Sequence, residues 1–291
     1  MKNSDDFKNN LGKLRFFIGD VRDSDRVNMA FREGYDYVVH TAALKHIDIA
    51  EYNPFEVVKT NILGTYNIIN AAIQYKVKKI IALSTDKAVS PKNLYGATKL
   101  VLEKIVNAAN NYTDTKKISF SVVRYGNVMG SRGSVVPFFL KRKKTGKLPL
   151  TNLKSTRFSI ETENAVDFVI KSLNLMQGGE VFVPKMKSYR LIDLARSIST
   201  KAKIIETGLR PGEKLHECLV LEDELINTFE FNNFFVVAPS SQYNDWNIKN
   251  FTKKNNIKTK FKKPKKEYNS FSNKSFLNKS ELKKLIKKFE I

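Results

Sequence analysis

Apolar, β-branched runs and helical spacings alternate along the first half of the chain. Lys79-Ile80-Ile81-Ala82-Leu83-Ser84 has the composition of a parallel strand buried on both faces. Soon afterwards the period changes to Val101, Leu102, Ile105, Val106 and Ala109, the stripe of a helix. Leu14-Arg15-Phe16-Phe17-Ile18, Tyr35-Asp36-Tyr37-Val38-Val39-His40 and Phe120-Ser121-Val122-Val123-Arg124-Tyr125 read as further strands. Asn53-Pro54-Phe55-Glu56 opens a helix, with Asn as N-cap, Pro at the first helical position and Glu at the third, and the helix is expected to run to about Gln74. Strand and helix in turn predict an α/β fold with a doubly wound parallel sheet.

Beyond Val136 the alternation weakens. Helices are expected over 136–144, 161–176 and 191–199, with a short strand at Glu180-Val181-Phe182-Val183. A polar, lysine-rich connector then leads to an amphipathic helix over 280–289, whose Leu282, Leu285, Ile286 and Phe289 share one face and are expected to dock back onto the preceding lobe. The chain divides accordingly into 1–135, 136–250 and 251–291.

With 291 residues, 42% of them hydrophobic, the chain can bury a sizeable core, which excludes a disordered protein. Residues 1–6 are polar and no apolar run reaches the length of a membrane span, so the expectation is a soluble, cytoplasmic protein without membrane attachment. Cys218 is the lone cysteine, and His40, His46 and His216 lack paired metal-ligand spacing, so no metal site is indicated. The formal net charge of +22 points first to a polyanion. Much of it lies in one run, Lys253, Lys254, Lys258, Lys260, Lys262, Lys263, Lys265 and Lys266, with no nucleic-acid motif. A solvated surface is the expectation there, with a polyanion-binding protein as an alternative.

Asp86 and Lys87 follow the strand at 79–84, at the carboxyl edge where open α/β sheets bind ligands. Tyr95 and Lys99 are four apart at the head of the next helix and so share a face. An ammonium beside a phenol lowers its pKa, and such a pair can act as a base toward a hydroxyl. Asn61 interrupts the apolar stripe of Val57, Val58, Ile62, Leu63 and Ile68.

Around that pair, Ser84-Thr85-Asp86-Lys87-Ala88 and Asn93-Leu94-Tyr95-Gly96-Ala97-Thr98-Lys99 are joined by Arg124-Tyr125-Gly126-Asn127-Val128-Met129-Gly130-Ser131-Arg132-Gly133-Ser134-Val135 and Arg210-Pro211-Gly212-Glu213-Lys214. From about Arg15 to the C-terminus the chain resembles the extended short-chain dehydrogenase/reductases, in particular the inverting UDP-N-acetylglucosamine 4,6-dehydratases. The resemblance implies a Rossmann-like sheet with a smaller α/β substrate-binding lobe, NADP as cofactor, a UDP-sugar substrate and a homo-oligomer. It makes 1–135 a partial NADP-binding domain with the catalytic residues and 136–250 mainly the substrate lobe.

By the same resemblance Thr85, Asp86, Lys87, Tyr95 and Lys99 are catalytic. Asp20 and Val21 lie by the adenine, Ala42, Ala43 and Lys45 by the pyrophosphate and nicotinamide, and Asn61 shapes the active site. Lys45, Asn127, Arg132, Arg210 and Glu213 meet the substrate. Tyr95, with Lys99, takes the C4 hydroxyl proton, Thr85 holds the developing ketone, Lys87 removes the C5 proton, and Asp86 protonates the departing C6 hydroxyl.

A glycine-rich strand-turn-helix unit, which normally cradles a dinucleotide pyrophosphate, does not occur in these residues. The chain therefore reads as an N-terminally truncated Rossmann-like sheet, beginning just before the third strand. The expectation is weak NADP binding and no activity unless upstream sequence or a separate N-terminal fragment supplies the unit. A sugar-nucleotide 4-epimerase and a non-catalytic binding subunit are the competing readings.

Overall fold

In a computed structural model, which describes residues 11–114, 117–131, 133–239, 246–258 and 260–289, a parallel sheet carries the first half of the chain. β1 (Tyr37–His40), β2 (Lys79–Thr85) and β3 (Ser119–Tyr125) pair in parallel, with Val38 opposite Ile80 and Thr85 opposite Tyr125. The sheet continues through β7 (Val181–Pro184), parallel to β3, and then through β12 (Phe234–Val237) and β11 (Thr228–Glu230), both antiparallel to their neighbours. Its order is β1-β2-β3-β7-β12-β11, so late segments of the chain return to the first sheet.

Burial on both faces explains the unbroken apolar strands. Ile80, Ala82, Phe120 and Val122 face one core with Ile68, Ile69, Leu102 and Val106. The alternate residues Ile81 and Val123 face another with Phe168, Val169, Phe182 and Phe251. The first core is covered by α1 (Ser24–Phe31), α4 (Gly64–Gln74) and α5 (Leu94–Ala108); the second is covered by α7 (Thr162–Leu175) and α9 (Ile248–Lys254).

A separate apolar cluster builds the smaller lobe. It joins α6 (Val135–Lys143), the parallel pair β5 (Lys147–Leu150) and β9 (Lys203–Glu206), and α8 (Leu191–Ile198). Onto it packs α10 (Lys279–Lys287) through Leu282, Leu285 and Ile286, as the stripe predicts. β4 (Asn127–Val128), β6 (Thr156–Ile160) and β8 (Lys187–Arg190) form a three-stranded sheet between, and β10 (Cys218–Val220) pairs with β13 (Tyr268–Asn269).

Two expectations are corrected. Residues 14–18 form no strand; Phe16 is 53% and Ile18 92% exposed. A strand is stable only inside a ladder, and β1 ladders with β2 alone among the described residues. The helix expected to run to about Gln74 does so, but not as a uniform α-helix: α3 (Pro54–Val58) passes through a π-turn at Lys59–Leu63 into α4. Its start also differs, because α2 (Ile47–Tyr52) ends on Asn53, whose side chain donates to the Ile49 carbonyl and caps nothing.

Candidate active site

The carboxyl ends of β1, β2 and β3 open toward the lobe, and the expected catalytic groups gather past β2. Thr85 ends the strand and starts a single 3-10 turn, Asp86–Ala88, with its hydroxyl accepting from the Lys87 backbone N–H at 3.4 Å. The same hydroxyl donates to Asp86 Oδ1 at 2.9 Å. Lys87 Nζ reaches that oxygen at 2.9 Å. Asp86 is fully buried, and its Oδ2 has no hydrogen-bond partner. Burial works against the Lys87 charge, but Asp86 and Glu217 outweigh it and hold the ammonium above the ordinary lysine value.

Asn93 caps α5, accepting from Gly96 N–H at 2.8 Å, and its amide donates to the Gly212 carbonyl at 2.9 Å. One side chain thus ties the helix bearing Tyr95 and Lys99 to the Arg210-Pro211-Gly212 turn. Tyr95 and Lys99 are both buried on the inner face of α5.

Their electrostatics differ from the sequence expectation. Burial pushes the Tyr95 phenol up to about 12, with Lys87 as the largest opposing influence, so the resting group is a phenol rather than a base poised near neutrality. Lys99 turns its ammonium to the Leu83 carbonyl. Burial brings Lys99 down to about 8 against the pull of Glu103, one helical turn further along.

Asn61 sits at the centre of the π-turn, fully buried. Its Oδ1 accepts from Leu44 N–H at 2.8 Å and its Nδ2 donates to the Leu44 carbonyl and to Thr98 Oγ1, both at 3.0 Å. The extra residue of a π-turn re-aims a side chain; here it pins the loop after β1 to α5. Ala42 and Ala43 are half-buried in that loop and Lys45 is exposed. The Asp20 carboxylate accepts from the guanidinium and the backbone N–H of Arg22, and Val21 packs on Gly64.

On the lobe side, Asn127 leaves β3 with its Oδ1 buried and without a hydrogen-bond partner. Arg132 lies outside the described residues. Arg210 is 65% exposed at the side chain, 3.9 Å from Asp48 and 3.6 Å from Glu213. Glu213 accepts from Arg157 at 2.7 Å and Thr151 at 3.0 Å, so it holds the Arg210 turn to the lobe.

Two buried acids stand beside the expected set. Glu103 continues the Tyr95, Lys99 series at the same four-residue spacing, a signal readable in the sequence, and binds Arg124 at 2.6 Å. Glu217 precedes the apolar run of β10 and had no such signal. It lies within 4.0 Å of Lys87, Arg157 and Lys214.

The chain is similar to known proteins over most of its length. The model of a family described as polysaccharide biosynthesis protein matches residues 1–239. The inverting UDP-N-acetylglucosamine 4,6-dehydratase of Campylobacter jejuni is 50% identical over 234 residues, 80% of this chain and 70% of that protein. A UDP-glucose 4-epimerase of Rickettsia bellii is 40% identical over 231 residues, 78% of this chain and 67% of that protein. Among solved structures, Pen from Bacillus thuringiensis superposes with a TM-score of 0.81 at 39% identity, covering 95% of this chain and 82% of that one.

Proposed function

The chain belongs to the polysaccharide biosynthesis protein family of extended short-chain dehydrogenase/reductases, and on that footing we propose that it works as a nucleotide-sugar 4,6-dehydratase, converting UDP-N-acetylglucosamine to a 4-keto-6-deoxy sugar with inversion at C5. The observation that carries this reading is the ion pair at 2.9 Å between buried Asp86 and half-buried Lys87, beside Tyr95. A 4-epimerase needs the Tyr/Lys pair alone; elimination needs an acid and a base as well.

The resting pair is an ammonium and a carboxylate. A proton moving along their hydrogen bond from Lys87 to Asp86 produces the amine and the acid together. Lys87 then takes the C5 proton as Asp86 gives its own to the departing C6 hydroxyl, which leaves as water. Lys87 ends the elimination protonated and Asp86 ionised, so the pair returns to its resting form. Tyr95 first gives its own phenol proton up to solvent and then, as the phenolate, accepts the C4 hydroxyl proton with Thr85 beside it, and Asn127 supplies an amide oxygen to the sugar.

The cofactor is a nicotinamide dinucleotide, which we assign as NADP; when bound it accepts hydride from C4 and returns it to C6. Ala42, Ala43, Lys45, Tyr95 and Lys99 suit its nicotinamide end, where small residues admit it and cations face phosphate and ribose. Asp20 and Val21 suit the adenine end. The outer edge of β1, where Tyr37 is 57% and Val39 42% exposed, is unpaired among the described residues. We place the reaction in the cytoplasm, where nucleotide sugars are made; no described helix is long and apolar enough to cross a membrane. Residues 136–250, apart from the segments that return to the first sheet, serve mainly as the substrate lobe, with Arg210 for the diphosphate, and the working form is a homo-oligomer.

The test is product mass from UDP-N-acetylglucosamine. Loss of one water supports dehydration; an unchanged mass with a new C4 configuration supports the epimerase.

A further inference from the structure

Glu217 is 3% exposed, yet neither carboxylate oxygen is committed to a close partner. Oε1 stands 3.9 Å from Lys87 Nζ and 3.8 Å from Arg157 Nε. Oε2 stands 4.0 Å from Lys214 Nζ and has no hydrogen-bond partner. A buried carboxylate so loosely held is costly unless the site uses it.

The position is nevertheless fixed. The Glu217 N–H donates to Ser270 Oγ at 2.9 Å and its carbonyl accepts from Ser270 N–H at 2.7 Å. Ser270, itself fully buried, is bonded to Thr156 at 2.7 Å. Backbone anchoring leaves the carboxyl group to face the charges around it. These are Asp86 and Lys87 from the turn after β2, Arg157 from β6, and Lys214 from its own loop; the Tyr189 phenol of β8 feels the same group. Lys214 is occupied on its other side by the carbonyls of Asp86 and Val89, and Arg157 by Glu213. Lys87 is therefore shared by two acids, one in hydrogen-bond contact and one a step further away.

That arrangement bears on the elimination. Lys87 can accept the C5 proton only as the amine, and every nearby anion opposes loss of its proton. Burial first, and then the neighbouring Asp86, raise the Glu217 carboxyl above the ordinary glutamate range, against the three cations.

We propose that Glu217 is a positioning residue for the Asp86–Lys87 pair, sharing Lys87 with Asp86 and so governing the transfer of the Lys87 proton to Asp86 that frees the amine to take the C5 proton. It touches neither substrate nor cofactor, and no bond to it is made or broken. The inference rests on the dehydratase reading.

The test uses the complete enzyme and compares wild type with Glu217→Gln across pH, following kcat/KM and entry of solvent deuterium at C5. Removing the Glu217 charge lowers the pH at which the pair sheds its extra proton and keeps only the one that passes from Lys87 to Asp86, so the limb on which C5 exchange rises with pH moves to lower pH, by roughly one unit or more. Glu217→Asp, which keeps the charge, restores the wild-type limb in part. An unmoved limb, with only a uniform fall in rate, overturns the proposal. Should the Gln variant not fold, Glu217→Asp against wild type decides: a limb displaced part of the way to lower pH upholds the proposal and an unmoved limb overturns it. A wild type that shows no dehydration at all fails the dehydratase reading itself, an outcome distinct from an unmoved limb.

Discussion

Gly96 passes Lys87 so closely that a Cβ on the glycine would stand 2.2 Å from the Lys87 carbonyl oxygen and 3.0 Å from its carbon. The contact is between backbones, so no side-chain rotation relieves it. It sets the helix of Tyr95 directly against the turn of Asp86 and Lys87, which brings acid, base and phenol into one site.

Gly96→Ala must therefore push the two segments apart. The variant is expected to lose about 2 kcal/mol of stability, as overpacking of a close contact does, and to lose turnover by a much larger factor than that loss alone explains. Denaturation and kcat on the same preparation check this.

Lys99 illustrates a site bought at a cost in stability. Burial puts its folded pKa at about 8, below the ordinary 10.5 of the unfolded chain. For a base with a depressed folded value the penalty is complete below pH 8 and fades as the pH rises to 10.5. Lys99→Met is expected to abolish turnover while stabilising the fold at pH 7 by up to about 3 kcal/mol, a gain that disappears toward pH 10.5. Urea unfolding at the two pH values reads it; destabilisation at pH 7 would go against the assignment.

His40 predicts an acid limit. Its Nε2 meets Thr65 Oγ1 at 2.9 Å, and because that hydroxyl donates to the Asn61 carbonyl at 2.7 Å, the ring must be the donor. Burial, then Lys99, lowers its pKa to about 4. The unfolded chain takes up a proton near pH 6.5 that the folded one refuses, so stability falls as pH drops from 6.5 to 4, by up to about 3 kcal/mol from this group. His40→Asn should flatten that part of the stability profile.

Arg124 is buried between Glu103, at 2.6 Å, and Glu224, at 2.9 Å. Arg124→Met leaves Glu103 charged and buried, with an expected cost of about 3–5 kcal/mol. Adding Glu103→Leu should recover much of it, as the double-mutant cycle by thermal unfolding would show.

The parts of the site that lie close together in the chain were legible in the sequence. Thr85 to Lys99 spans one strand end and one helix start, so local period and cap placed every group on the correct edge. Asn61 stood out as an amide in an apolar stripe, but the π-turn did not, because it depends on Leu44 and Thr98, far away in the chain. Glu217 was unreadable for the same reason: its partners come from residues 86, 87 and 157. Residues 14–18 had the composition of a strand, yet apolar composition reports a capacity for burial and says nothing of whether neighbours are there to ladder with. The expected lowering of Tyr95 by Lys99 failed because burial raises the phenol, the cation that opposes it is Lys87, and Lys99 turns instead to the Leu83 carbonyl.

The most direct test of the dehydratase assignment is to give the enzyme UDP-N-acetylglucosamine and NADP in deuterated water. The account predicts a product lighter by one water, with inverted configuration and one deuterium at C5, and loss of that deuterium entry in Lys87→Ala. A product of unchanged mass differing only at C4, or normal C5 exchange in Lys87→Ala, would contradict it.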